Sequence, residues 1–566
     1  MNKNLTLNNS FHKRRKFELI TIGVGIYSCL GSALATPSGG QLIREIDQQN
    51  RIDIQPKQAP LQLDINSNTN KKTDSTGDDV KILITEITLR GNHAFSQHEL
   101  HPIFKDDIGN KYNLKELKDI AQKIENFYHT HNYAFAHAYI PPQEISDGKL
   151  IIEIKEGTYG KIKYDNQSKL KEFVISNTMR SVIKNETIQT SNLESALIRL
   201  NKIAGIKATS TLEAGTEDGQ ADLTVNIEST KALSVNVSAD NLGNKSTGHY
   251  RAVGDLTLNN PLNIGDQVNI KSLISNPKNQ YQRINYLIPT NIVDSKIGIT
   301  YSKMQYAIDR DMANLGMHGY VSSRGIYLQQ PVITQNNRYS ELEIKYEERL
   351  FNDMTGLYED TNKKKSKIIT TSYSSSGANV ISNRSLSNFS ASYSIGRIAI
   401  LSQELENYYQ RTTRIQGTFS KLAVTASHEQ WITNSTSVFG QINMQWADKN
   451  LISAEKIGLG GVYAVRAYSA NDAAGDVGFV GNLEIRQSIK PQIQASLFYD
   501  YGQTHASKNS WGEYNPLIRR AAIGTALVLA NKGGSIKLTA ALPVAPGKSS
   551  NTQKAPSAWI QTNYIF

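Results

Sequence analysis

The chain has 566 residues, 39% hydrophobic and 20% charged, with a mean hydropathy of −0.42, 39 Gly, 15 Pro and a single Cys. At roughly 150 residues per domain the length predicts several domains, and the hydropathy is too low for a bundle of membrane-spanning helices. One thiol builds neither a disulfide scaffold nor a cysteine metal site.

Lys3 and Lys13-Arg14-Arg15-Lys16 precede an apolar run from Leu19 to Leu34 that ends in Ala33-Leu34-Ala35, the pattern of a secretory signal peptide over residues 1–35. The run is short for the roughly 20 apolar residues of a span and contains Gly23, Gly25 and Gly31, so a transmembrane anchor is the weaker reading. Cleavage after Ala35 would remove Cys29 and lower the net charge from +11 to +7. Spread over the remaining chain, that charge is no nucleic-acid footprint, because no Lys/Arg stripe with interleaved aromatics appears.

Within residues 36–52, Leu42, Ile43 and Ile46 fall on one face of a short helix, and residues 53–79 form a polar, flexible linker. Spacing alone leaves open whether this tethered helix is more than a frayed terminus. Residues 80–156 mix periods: 82–89 alternates as a strand, Leu114, Leu117, Ile120, Ala121, Ile124, Phe127 and Tyr128 keep helical spacing, and 150–154 is strand-like again. Residues 157–230 repeat the order, with a helix through Leu193, Leu197 and Leu200 and a strand over 221–227. Two successive small α+β domains are expected.

From 231 to 566 the period changes to 2, in segments of about ten residues, the length a tilted strand needs to cross a bilayer. Phe389, Ala391, Tyr393 and Ile395 alternate with Asn388, Ser390, Ser392 and Ser394, and Ile442, Met444 and Trp446 alternate with Gln441, Asn443 and Gln445. A Tyr-rich apolar face opposite an amide-rich one predicts a transmembrane β-barrel with a wet interior. About sixteen antiparallel strands are expected, beginning near Leu233, Tyr250, Gln267, Tyr281, Lys296, Gly319, Tyr339, Ile368, Asn388, Thr412, Ser437, Gly478, Ile493, Arg520, Ser535 and Ser557. The last strand sets Ile560, Thr562, Tyr564 and the terminal Phe566 on one face, which resembles the assembly signal of bacterial outer-membrane barrels.

Pro141-Pro142-Gln143 with Gly148, then Glu156-Gly157, resembles the signature of the first POTRA domain of two-partner secretion translocators. Residues 193–201 with Gly205 and Leu212 look like the second POTRA domain, and residues 260–266 resemble the early barrel hairpin. Val465-Arg466-Ala467-Tyr468 resembles the VRG[YF] tip of a long loop that folds into the pore, and Phe498-Tyr499-Asp500-Tyr501-Gly502 resembles the facing barrel-wall motif. The resemblance covers nearly the whole mature chain in order. It implies an outer-membrane channel with periplasmic POTRA domains (80–156 and 157–230), a plug helix at 36–52, a barrel at 231–566 and an inward-folded loop at about 448–477. Its implied partners are an unfolded large exoprotein that becomes a β-helix outside, outer-membrane lipid and the barrel-assembly machinery; a monomer without cofactor or metal is expected.

The residues add support of their own for a loop lock. Asp500 shares a strand face with Ser496 and Phe498, so if Leu497, Tyr499 and Tyr501 face lipid, Asp500 points into the lumen. Arg466 lies in a connection of roughly thirty residues, a length that is usually functional or disordered, and Gly458, Gly460 and Gly461 would let it turn inward. A guanidinium enclosed in a barrel needs a carboxylate, and Asp500 offers bidentate geometry. A solvated Arg and an ordinary lumen Asp are the alternative. Ala467 stands where the resembled motif has glycine, so a backbone needing φ > 0 there would be strained and the tip shifted or less tightly locked.

Catalytic patterns fail on spacing. Gly547-Lys548-Ser549 lacks the upstream glycine of a P-loop, since position 542 is Leu, and His428-Glu429 lacks a second His, since position 432 is Ile. No G-x-S-x-G elbow occurs; His93, His98 and His101 read as surface residues and Lys363-Lys364-Lys365 as a solvated loop tip. The alternatives are a general barrel-assembly factor, which usually carries more POTRA domains and no plug helix, and a solute porin, which would lack the periplasmic domains.

Overall fold

The structure, a computed structural model, describes residues 38–53, 81–243, 247–276, 279–290, 294–308, 316–335, 337–356, 360–470, 472–510, 517–544 and 557–566. The expected signal peptide, nearly all of the linker and the Gly547-Lys548-Ser549 triplet lie outside the described residues. The described chain begins with helix α1 (Gly39–Asp53).

The first α+β unit runs β1 (Ile82–Leu83), β2 (Glu86–Arg90), α2 (Gln97–Phe104), β3 (Lys111–Tyr112), α3 (Leu114–Thr130), β4 (His137–Tyr139) and β5 (Lys149–Lys155). Strand β5 lies between β2, to which it is parallel, and β4. Helix α3 starts where Asn113 and Glu116 exchange side-chain-to-backbone bonds of 2.9 and 2.8 Å, a capping box. It buries Leu117, Ile120, Ala121, Ile124 and Tyr128, whereas Leu114, in the first turn beyond the cap, stays exposed.

The sequence signatures of this unit have local physical reasons. The Gln143 side chain accepts from Ile151 N at 2.8 Å and donates to Ile151 O at 2.7 Å, so it completes the edge of β5 as another strand would. The buried Glu156 carboxylate accepts from Ala94 N at 2.7 Å and from the Tyr128 hydroxyl at 3.0 Å, tying loop, helix and sheet together. Burial and this carboxylate push the Tyr128 pKa above its usual value, which keeps the hydroxyl a donor.

The second unit is β6 (Thr158–Asn166), α4 (Glu172–Thr178), α5 (Thr190–Asn201), β7 (Ile206–Ala214) and β8 (Gln220–Ser229), in sheet order β6-β8-β7. Leu193, Leu197 and Leu200 are buried against Leu223, Val225 and Ile227 of β8. The unit sits on the barrel: Lys171 N donates to Asn263 O at 3.0 Å, Ser195 Oγ to Thr334 O at 3.0 Å, and Arg199 pairs with Asp294 at 3.2 Å. These contacts define the domain side of the barrel.

The barrel strands are β9 (Leu233–Asp240), β10 (Arg251–Asn259), β11 (Gln267–Asn276), β12 (Asn279–Pro289), β13 (Lys296–Ala307), β14 (Met317–Thr334), β15 (Arg338–Thr355), β16 (Asp360–Ala378), β17 (Ser385–Ile400), β18 (Gly417–Trp431) and β19 (Thr436–Ala447). Two short strands, β20 (Ile457–Gly458) and β21 (Ala474–Gly475), lie within the next connection. The wall resumes with β22 (Val477–Lys490), β23 (Ile493–His505), β24 (Leu517–Ala530), β25 (Gly534–Pro543) and β26 (Ser557–Ile565). Sixteen antiparallel strands close through β26 and β9, where Asn563 faces Ser238.

Three expectations need correction. Many wall strands exceed ten residues, β16 reaching 19, because pairing continues past the apolar band where the ladder still satisfies every backbone group. No strand begins at Thr412: residues Gln403–Arg411 form helix α6, whose Leu405 and Tyr409 pack on the cluster filling the lumen, and β18 starts at Gly417. Lys363-Lys364-Lys365 is no loop tip but part of β16, with Lys364 3.5 Å from Asp353 while Lys363 and Lys365 alternate to the other face.

Replacing Tyr128 by Phe leaves the buried Glu156 carboxylate with one donor fewer. It should cost about 1–3 kcal/mol, seen as faster hydrogen exchange across residues 82–157 only. Unchanged protection would mean that Glu156 plays no such tying role.

Candidate functional site

The connection between β19 and β22 turns into the barrel instead of leaving it. Strands β20 and β21 pair as its stem, Leu459 N donates to Ala473 O at 2.9 Å, and Val465 N to Leu459 O at 2.9 Å. Gly461, at φ +109°, makes the turn that no L side chain adopts easily. Val465, Ala467 and Tyr468 are buried against Val480, Phe498, Ala522 and Ala541 of the wall.

Arg466 occupies the centre. Its Nε and Nη2 donate to the two oxygens of Asp500 at 2.8 and 2.6 Å, its backbone N–H to Asp500 at 3.1 Å, and Nη1 to Glu484 at 2.6 Å. The guanidinium stacks 3.4 Å above the centre of the Phe498 ring, and Trp559 Nε1 donates to the Arg466 carbonyl at 2.7 Å. Asn482 donates at 2.8 Å to both Asp500 and the Ala464 carbonyl. Gly524 lies opposite Phe498 in register, and a Cβ there would collide with the ring. Gly502 lies against Leu459 of the loop, 3.1 Å from where its own Cβ would stand. Ala467 has no positive φ; the turn is made at Gly461 and the Ala467 methyl fits among small wall residues, so the expected strain is absent.

The motif resemblance, supported by strand alternation and loop length, singled out Arg466 and Asp500 but not Glu484, Asn482 and Trp559. The first two share the inward face of β22 with Arg486, which bridges Glu484 at 2.8 Å and Glu429 at 2.9 Å. An alternating Asn-x-Glu-x-Arg facing the lumen was the available signal.

Helix α1 lies in the same lumen. Ile43 and Ile46 are buried, and Leu42 is half-buried, in a cluster with Val253, Leu273, Met304, Val321, Phe351, Ile368 and Phe419, each from a different wall strand. Arg349 of β15 donates to Asp47 of the helix at 2.9 Å and to Glu347 at 2.9 Å, and lies 3.6 Å from Glu455 of the loop. Lys421 closes on Glu455 at 2.6 Å. Arg44 donates to the Ser453 carbonyl at 3.1 Å, so helix, wall and loop meet at Ser453–Glu455. Tyr564 and Phe566 stand apart from this site, exposed at the barrel's closing seam with ring centres 4.7 Å apart.

A sixteen-stranded barrel with a loop and a helix folded into its pore, carried behind small α+β domains, defines a class of outer-membrane translocator. The model of the haemolysin secretion/activation protein family ShlB/FhaC/HecB matches residues 219–527, more than half the chain, and that of the ShlB-type POTRA domain matches residues 82–157. The chain belongs to this family of secretion proteins and resides in the outer membrane with its POTRA domains in the periplasm. Among its relatives, the heme/hemopexin transporter protein HuxB of Haemophilus influenzae strain 86-028NP is 29% identical over 94% of this chain and 96% of its own. The outer membrane transporter CdiB of Dickeya dadantii is 21% identical over 69% and 70%. The solved CdiB of Escherichia coli has the same fold, with a TM-score of 0.74 at 17% identity over 94% of this chain and 100% of that one.

Removing either Arg466 or Asp500 should leave a buried partner uncompensated, a loss of roughly 3–5 kcal/mol. Arg466→Ala and Asp500→Ala should each impair secretion and expose the loop to protease, with the double variant no worse than Arg466→Ala. Additive defects would show that the two act separately.

Burying Ile43 and Ile46 contributes about 1.5–3 kcal/mol each, enough to seat α1 yet small enough to release it. Deleting residues 37–52 should raise single-channel conductance in planar bilayers while barrel assembly persists. Unchanged conductance would mean that α1 does not limit the pore.

Proposed function

We propose that this translocator receives an unfolded large exoprotein on its POTRA domains, opens its lumen by displacing α1 and loosening the Arg466 loop, and passes the chain to the cell surface, where folding into a β-helix draws it out. The observation that carries the reading is the double occupation of the lumen by α1 and the loop, joined at Ser453–Glu455 through Arg44 and Arg349. A ligand that pulls α1 from Arg349 also removes a contact from the loop's neighbour. Because the heme/hemopexin transporters align over nearly their whole length, the cargo we favour is a haem- or hemopexin-binding exoprotein rather than a contact-dependent toxin. The terminal Tyr564 and Phe566 would serve the barrel-assembly machinery during biogenesis.

For capture, β7 is the edge we favour. Asn201 already bonds Ala208 N at 2.9 Å and Ala208 O at 2.8 Å on the side away from β8, so the even-numbered residues of β7 point their backbone groups to the free edge. An extended cargo segment can add there through backbone bonds that ignore sequence. Segment 185–188 covers the opposite edge through Tyr159.

Deleting the gene should remove one very large protein from the culture medium and cell surface. Ser210→Pro, which deletes an outward N–H and leaves the β8 ladder intact, should reduce its export without altering the barrel. Undiminished export in the deletion would refute the secretion reading; undiminished export in Ser210→Pro would move capture elsewhere. A secreted protein that fails to bind hemopexin or haem would refute the cargo class.

A further inference from the structure

The outward face of strands β13 to β17 carries a band of cations that point away from the lumen. In one cross-strand row stand Arg324, Glu348, Lys367 and Arg397, each paired in register with the next. One step further from the POTRA domains, Lys303 and Lys365 share the same face, and Lys363 follows beyond them. Glu348 is shared by Arg324 at 2.9 Å and Lys365 at 3.0 Å. Lys303, Lys363, Lys367 and Arg397 are exposed and make no ion pair among the described residues. Lys367 lies directly opposite Arg397, and like charges so placed repel.

Just below, on the domain side, Ile299, Ile326, Tyr346, Ile369 and Ile395 form an unbroken apolar row, all exposed. From Arg338 at the domain-side turn to Glu348 is ten residues of β15, which at ~3.3 Å per residue and a tilt of about 40° rises about 25 Å, the height of the apolar band of an outer-membrane barrel. The cations therefore stand at the headgroup level of the cell-surface leaflet. They need a counter-charge that the described residues do not supply, in a setting where partial dehydration strengthens repulsion.

We propose that this band is a binding site for a phosphorylated glycolipid of the outer leaflet, its phosphates held by Lys367, Arg397 and Lys303 and its acyl chains lying on the apolar row. Height and charge select the occupant: the leaflet supplies phosphate and acyl chain at this spacing, and the side chains face away from the lumen through which cargo travels. An annulus fixed to β13–β17 would hold this wall steady while α1 and the loop move inside it.

The test uses the full-length protein in detergent and measures lipid binding by native mass spectrometry, with bisphosphorylated lipid A, its dephosphorylated form and inorganic phosphate as probes. Lipid A should bind in a salt-sensitive manner. Lys367→Gln/Arg397→Gln should weaken it about tenfold or more, as should removing the phosphates. Lys367→Arg/Arg397→Lys should retain it, and inorganic phosphate at equal concentration should not displace it. Heat-modifiable migration on gels reports whether each barrel is folded; if the Gln pair does not fold, Lys303→Gln/Lys363→Gln reads the same loss. Equal binding by a folded Gln variant, or by dephosphorylated lipid, would overturn the proposal. Displacement by inorganic phosphate would make it a free-anion site, and loss of cargo export with lipid binding intact would make it a protein contact; either overturns the lipid assignment.

Discussion

A guanidinium sealed inside a barrel must find carboxylate, and the Arg466 loop is built around that requirement. Arg466 is 3% exposed and Asp500 fully buried, so neither charge is answered by bulk water. Asp500 takes two bonds from the side chain and one from the backbone, Glu484 takes a fourth, and Phe498 offers its ring face. The wall is shaped to match: Gly524 leaves room for Phe498, and Trp559 from the last strand holds the Arg466 carbonyl. A buried ion network of this kind adds little net stability over an apolar core, but it admits one arrangement of the loop and penalises others by several kcal/mol. Geometry, rather than strength, is what the network supplies.

The second network, Asp47–Arg349–Glu347 with Glu455–Lys421, has the opposite character. Asp47 is half-buried, and Arg349 keeps Glu347 and Glu455 when the helix leaves. Departure of α1 therefore strands no charge of this network, which makes the helix a removable occupant of a lumen whose loop is held more firmly. That asymmetry suits a pore closed at rest and opened by cargo.

Much of this was legible because a barrel wall alternates strictly. The period-2 pattern anticipated sixteen strands, with the largest displacements at the starts of β16 and β18, and the outward Leu497, Tyr499 and Tyr501 put Asp500 on the lumen side. The failures occur where alternation loses its meaning. Beyond the apolar band both faces of β16 are polar, so Lys363-Lys364-Lys365 read as a loop, and α6 is a short amphipathic helix whose apolar side faces a lumen that spacing could not show to be filled. Glu484 escaped because a charged residue on a lumen face looks ordinary until the loop that it meets is in place. The concern over Ala467 assumed that a motif glycine is needed for its φ, whereas here the left-handed turn belongs to Gly461 and position 467 demands small size.

If α1 closes the lumen at rest, it must leave for export to proceed. A Cβ on Gly39 would stand 2.7 Å from a Val321 methyl carbon on the wall, within reach of a disulfide, and the only Cys of the chain is Cys29. The decisive measurement is exoprotein release by Gly39→Cys/Val321→Cys cells before and after adding reductant. Export should stop while the bridge is intact and resume on reduction. Undiminished export through the bridged protein would contradict closure by α1.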